Sequence, residues 1–188
     1  MPIPGSADFA RFLRPILFAL LAAFPAAAPS LVIAAETPSG LPLPRFVTTR
    51  STPINVRVGP GLKYDVLWVY KVAGTPVEII QEFDVWRKIR DFDGSEGWVH
   101  QNMLTGGRAG YVGNWLTDPQ VPLRVSAAPD SGIAAWLVPG FPVRISSCDG
   151  GWCAVSATDH PESGRPATYS GYMPETALWG VYKGESFD

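Results

Sequence analysis

Beyond its first thirty-five residues the chain alternates apolar and polar positions in short bursts. The segments "NVRV", "DVLWVYKV", "TPVEIIQE", "WRKIRD" and "GWVH" are rich in Val, Ile and aromatic residues. Turn residues separate them at Gly59-Pro60-Gly61, Ala73-Gly74, Phe83-Asp84 and Asp93-Gly94. No later stretch keeps a helical period, so the pattern predicts an all-β fold of short strands. The first thirty-five residues differ. Arg11 and Arg14 precede the uncharged run "PILFALLAAFPAAAPSLVIAA", Pro15–Ala35, which ends in small residues before Glu36. This predicts an export signal peptide cleaved after Ala35. The alternative is an uncleaved helical anchor, since about 20 apolar residues span a bilayer. Pro25, Pro29 and the alanine-rich end favour cleavage. No cysteine lies near the segment to carry a lipid.

The pattern also repeats. Val56-Arg57-Val58 aligns with Leu123-Arg124-Val125, and "AGTPVEII" aligns with "PGFPVRIS". Pro76 and Pro142 are 66 apart, as are Trp86 and Trp152. "GWVHQNML" then aligns with "GYMPETAL" at an offset of 74, so the second copy carries eight extra residues, placed in the polar loop Ala157–Ser170. Each copy is about 60 residues, enough for a compact β-barrel. The expected organisation is a signal peptide at 1–35, a Pro-rich linker at 36–45, a barrel at 46–106, a connector at 107–118, a second barrel at 119–183 and a tail at 184–188.

Composition narrows the function. The net charge is −2, hydrophobic content is 46%, and Gly and Pro each number 19. There is no basic field, which argues against nucleic acid as a partner. His100 and His160, the only histidines, fall in different copies. No G-x-S-x-G, P-loop or dinucleotide motif occurs. Asp91, Asp93 and Glu96 crowd one loop and read as solvated. The expectation is a protein without catalytic residues, cofactor or metal.

The motifs "INVRVGPG", "VLWVYKVAGTPVEII" and "DVWRKIRDFDGSEGWVHQNML" resemble the bacterial SH3-like (SH3b) domain family. The whole is similar to exported alphaproteobacterial proteins with two tandem copies. The second copy is more degenerate, "LRVSAAPDSG" lacking the G-P-G. The resemblance implies a barrel of about five or six strands per copy. It also implies binding rather than catalysis, commonly of cell-wall peptidoglycan or protein partners. The reading that follows is an exported, periplasmic or secreted, binding protein. Its ligand is peptidoglycan, its stem peptides or an extended segment of an envelope protein. The alternative is a periplasmic scaffold whose barrels only mediate assembly. No membrane contact is expected after signal cleavage.

Candidate binding residues are aromatic. Trp86 lies three positions before Ile89, which puts the two on opposite strand faces. If Ile89 is core, Trp86 faces outward, and Trp152 does the same against Val155. Tyr64 follows "GPGLK" in a loop flanking such a groove. Trp68 and Tyr70, with Val66 and Val72, read as core, and Trp98 as structural. Trp115 and Trp179 are expected to pack the barrels together and make a cleft between them, a second candidate site.

Cys148 and Cys153 are the only cysteines. They supply two ligands where structural zinc needs four, and C-x4-C is not the redox spacing C-x-x-C. An export compartment permits a disulfide. The repeat register places Cys148 over Glu82 and Cys153 over Arg87, cross-strand neighbours flanking a turn. Free buried thiols are the competing reading.

Overall fold

The computed structural model describes residues 37–188, so the expected signal peptide lies outside the described residues. These residues lie in one compact unit. Fourteen strands run through it. The first seven are β1 (Arg45–Thr49), β2 (Ile54–Arg57), β3 (Val66–Tyr70), β4 (Pro76–Phe83), β5 (Trp86–Arg90), β6 (Glu96–His100) and β7 (Leu104–Thr105). The next seven are β8 (Ala109–Val112), β9 (Val121–Arg124), β10 (Ile133–Leu137), β11 (Pro142–Asp149), β12 (Trp152–Asp159), β13 (Ala167–Pro174) and β14 (Leu178–Trp179). They form two seven-stranded sheets, ordered β3-β2-β6-β5-β4-β1-β7 and β10-β9-β13-β12-β11-β8-β14. Adding seven to each label in the first sheet gives the second. The all-β tandem architecture is therefore as expected, with two short strands more per copy than five. Among the described residues no helix is long and apolar enough to cross a membrane.

Each sheet curls round its own core. In the first, Val47, Ile54, Val56, Val77, Ile79, Ile89, Val99 and Leu104 pack together. In the second the cluster includes Val112, Leu123, Val143, Ile145, Val155 and Met173. Full burial of such side chains stabilises by about 1.5–3 kcal/mol each. The glycine of each "GW/GY" motif has a packing role. A Cβ at Gly97 would collide with Val56 and Trp68, and one at Gly171 with the Arg124 carbonyl and Leu123. Only glycine lets β6 lie this close to β2, and β13 to β9.

Four expected segments change. The stretch 107–118, read as a connector, contains β8, which pairs with β11 and β14 inside the second sheet. With only four residues, one of them Gly110, it gives too short an alternation to register as a strand. The eight extra residues do not make a loop across Ala157–Ser170. They lengthen the β12–β13 hairpin, whose pairing runs from Trp152↔Pro174 to Asp159↔Ala167. The tail 184–188 is docked: Phe187 exchanges backbone hydrogen bonds with Cys148 at 2.9 and 3.0 Å, and its ring packs on the second core. The linker is docked too over its described residues 37–45, with Leu43 against the first core and Ser39 bonded to Glu82.

The cysteine pair is where the register put it. Cys148 and Cys153 are cross-strand partners joined by a disulfide, and both are buried in the core. Glu82 and Arg87 hold the same register in the first copy and form an ion pair at 3.2 Å. A bulge decides this. Pairing shifts between Ile79 and Gln81 in β4, and between Ile145 and Ser147 in β11. The extra residue moves Glu82 and Cys148 onto the core side, where strict alternation from Ile79 and Ile145 puts them outside. The disulfide closes a short loop, so replacing both cysteines by serine is expected to cost about 2 kcal/mol. Thermal denaturation should show a midpoint lower by roughly 4–8 °C. An unchanged midpoint contradicts the bracing role.

Candidate functional site

The aromatic residues that join the barrels come from four elements. Phe46 stands on β1, Phe92 on the turn after β5, Tyr111 on β8 and Trp179 on β14. The Trp179 ring lies 5.0 Å from Phe46, 5.5 Å from Phe92 and 6.4 Å from Tyr111, centroid to centroid. Phe46 also meets Tyr182 at 4.8 Å. Such contacts add about 0.5–1.5 kcal/mol each beyond burial. The Tyr182 hydroxyl donates to Glu78 at 2.7 Å, and Arg90 donates to the other Glu78 oxygen at 3.0 Å. Burial, and then this bond to a carboxylate, pushes the Tyr182 phenol well above its ordinary pKa.

Beside this cluster lies a cleft of about 330 Å³. Its walls are the segment Val69–Thr75 and Asp91 from the first barrel, and Tyr111 and Pro142 from the second. Asp91 is half-buried. The Tyr70 hydroxyl donates to its Oδ2 and the Phe92 N–H to its Oδ1, each at 2.6 Å. Burial, and then the bond to Asp91, raises the Tyr70 phenol pKa strongly. The Tyr111 phenol is also pushed up, by burial first and by the Asp91 charge as well. The cleft therefore presents two neutral phenols round one carboxylate. That arrangement of aromatic and polar groups can bind a ligand.

A second concavity, of about 390 Å³, lies on the second barrel alone, lined by Val125, Ser146, Ala154, Ser156, Ser170 and Tyr172 among others. The repeat register sets Lys88, Arg90, Glu96 and Trp98 in the corresponding places of the first barrel. There Lys88 and Arg90 both pair with Glu96, at 2.6 and 3.2 Å, and Trp98 is only 8% exposed. The copies share a fold but not a surface.

The expected site residues do not converge. Tyr64 sits in the β2–β3 loop, its ring over Gly59 and its face met by the Lys63 ammonium at 5.3 Å. Trp86 opens β5. It does face away from Ile89, as alternation requires, but it is 8% exposed and packs edge-on to His100 at 5.5 Å. An open groove wall at Trp86 is thus corrected to a covered ring on the outer layer of the sheet. Trp152, its counterpart, is half-buried at the start of β12 opposite Pro174. Trp68 and Tyr70 do pack on the first core, whereas Val66 and Val72 are 42% and 69% exposed. Trp98 is buried. Trp179 joins the barrels as expected; Trp115 does not, being 51% exposed and donating its indole N–H to Thr176 within the second barrel.

Three groups have roles that the sequence pattern does not signal. Asp91 is half-buried rather than solvated, and Tyr111 lies on β8 rather than in a connector. Arg57 of "NVRVGPG" proves structural, donating to the carbonyls of Leu62 and Tyr64 at 3.4 and 2.7 Å. Arg124 does the same for Ser131 at 2.7 Å, so the second copy keeps the device without the G-P-G. His100 accepts the Asn102 N–H, while His160 is exposed in the β12–β13 turn. Among the described residues no group of three or more His, Cys, Asp or Glu side chains is placed to hold a metal.

A family model described as a bacterial SH3 domain matches the chain twice, at residues 50–106 and 117–164. Two solved structures are similar to it. One is of NlpC1 from Trichomonas vaginalis, with 12% identity over 73% of this chain and 46% of that one, TM-score 0.32. The other is of NlpC2 from the same organism, with 14% identity over 74% and 48%, TM-score 0.31. The chain thus spans about half the length of each. No curated protein matches it.

Proposed function

Because the chain belongs to the bacterial SH3 domain family, we propose that it is an exported, non-catalytic binding protein for cell-wall peptidoglycan, taking the stem peptides of the wall or a similar extended chain. The observation that carries this reading is the inter-barrel cleft, with Tyr70, Asp91 and Tyr111 converging from two barrels on one cavity. Aromatic walls with a few fixed polar groups are the usual chemistry of a binding pocket. Extended peptides are recognised by such pockets at low ordering cost. Export rests on the basic flank and apolar run before Glu36.

A second reading has its own observation. β3 is an edge strand without charge, and Val66, Leu67 and Val69 on it are 42%, 50% and 39% exposed. Such an edge accepts a further strand from a protein partner, which favours an assembly scaffold. The two readings separate in one experiment. The compact unit Ala35–Asp188 is expected to cosediment with purified sacculi and to be released by soluble stem peptide. Failure to cosediment, together with a single crosslinked protein neighbour in the envelope, replaces wall binding with assembly.

A further inference from the structure

We infer that the inter-barrel cleft is an ammonium-binding site, in which Asp91 supplies the counter-charge and Tyr70 and Tyr111 the aromatic walls, and that its ligand is an amine-bearing side chain of a peptide. This rests on the wall-binding reading above and names the chemical group that the cleft takes.

Four glutamates find their counter-charge within the fold. Glu78 meets Arg90 at 3.0 Å, Glu82 meets Arg45 and Arg87, Glu96 meets Lys88 and Arg90, and Glu185 meets Arg108 at 2.7 Å. Asp91 is also partly withdrawn from water, yet its two bonds come from neutral donors, a phenol and a peptide N–H. Among the described residues it has no ion-pair partner within 4.0 Å. A carboxylate in that setting gains from a cation that the fold itself does not bring. Its geometry leaves room for one. An ionised carboxylate has about four acceptor positions, and two are used. An ammonium group has three donors to place on the rest. The phenol walls add the second element, since a cation within about 6 Å of a ring centre is attracted to its face.

Lys71 is the basic side chain in the same lining, exposed at the rim. It repels a second cation, so its removal should help the ligand rather than harm it. The site also belongs to the tandem and not to one copy. Tyr70 and Asp91 come from the first barrel, and Tyr111 and Pro142 from the second.

The test is isothermal titration of the compact unit Ala35–Asp188 with an end-capped Ala-Ala-Lys peptide and with its side-chain-acetylated form. The free amine is expected to bind about ten-fold tighter or more, as losing a charged partner costs roughly a decade in affinity. Asp91→Asn should abolish the preference, Tyr111→Leu should cut it at least about three-fold, and Lys71→Met should strengthen free-amine binding. Equal binding of the two peptides, no measurable binding of either, or a preference that survives Asp91→Asn overturns the inference. Sacculi keep it distinct from the reading beneath it. Cosedimentation without an amine preference removes the ammonium site and leaves wall binding standing. An amine preference without cosedimentation keeps the site and removes the wall as its source.

Discussion

Replacing Glu82 by alanine is expected to lower stability by about 3–5 kcal/mol, the cost of breaking a buried pair and leaving its partner charged and unpaired. The Glu82 and Arg87 side chains are 1% and 6% exposed. The same carboxylate holds Arg45 and takes the Ser39 N–H and hydroxyl at 2.9 and 2.7 Å, so one substitution frees two guanidiniums and the docked N-terminal strap. Thermal denaturation should show a midpoint lower by roughly 6–20 °C. A drop smaller than about 3 °C means that the pair is spectator to the fold. Acid gives an independent check. Burial pushes the Glu82 pKa up, but the hydrogen bonds from Arg45 and Ser39 outweigh it and hold the carboxyl below the usual glutamate range. Its contribution is then whole at neutral pH and is lost as the pH falls from the ordinary glutamate range through the depressed native value. The gap between wild type and variant should narrow in acid. In the second copy the disulfide makes the corresponding link, and that link does not titrate.

The second large effect is expected from Trp179→Ala. The ring touches Phe46 and Phe92 of the first barrel and Tyr111 of the second. A buried Trp cut to Ala costs about 3–5 kcal/mol. Trp179 is half-buried, so about 2–4 kcal/mol is the expected loss. The form of the change matters more than its size. With the central ring gone, the two cores, each closed by its own sheet, should uncouple. Calorimetry is expected to show one unfolding transition for the wild type and two for the variant. A single transition, merely shifted, places the coupling elsewhere, in the Tyr182–Glu78–Arg90 bonds.

How much of this was legible in the sequence differs by element. β4, β5 and β6 announce themselves through Val, Ile and aromatic residues between clear turns. β8 does not, because four residues with a glycine among them carry too little alternation to separate from a connector. Trp179 was legible as a barrel contact, since a large aromatic beside the end of a repeat has few other places to go. Trp86 was legible in direction but not in exposure. Alternation sets the face a side chain leaves from, while what covers that face comes from other strands, here His100 of β6. The candidate cleft was the least legible. Asp91 looked solvated in a charged loop, and only its distance to Tyr70, twenty-one residues away, shows otherwise.

The sequence by itself determined the fold class, the duplication, the matched strand order implied by it, and the cross-strand placement of Cys148 and Cys153 over Glu82 and Arg87; that the two are joined rather than free thiols came from the structure. These are local or periodic properties, and a repeat aligns them without coordinates. The tertiary structure alone decided that bulges turn those pairs into the cores, that the terminal segments dock, and that Asp91 faces Tyr70 beside Tyr111. Each of these depends on which surfaces meet after the sheets curl and the barrels pack. That contact is set by twist, bulge and burial acting together across residues far apart in the chain.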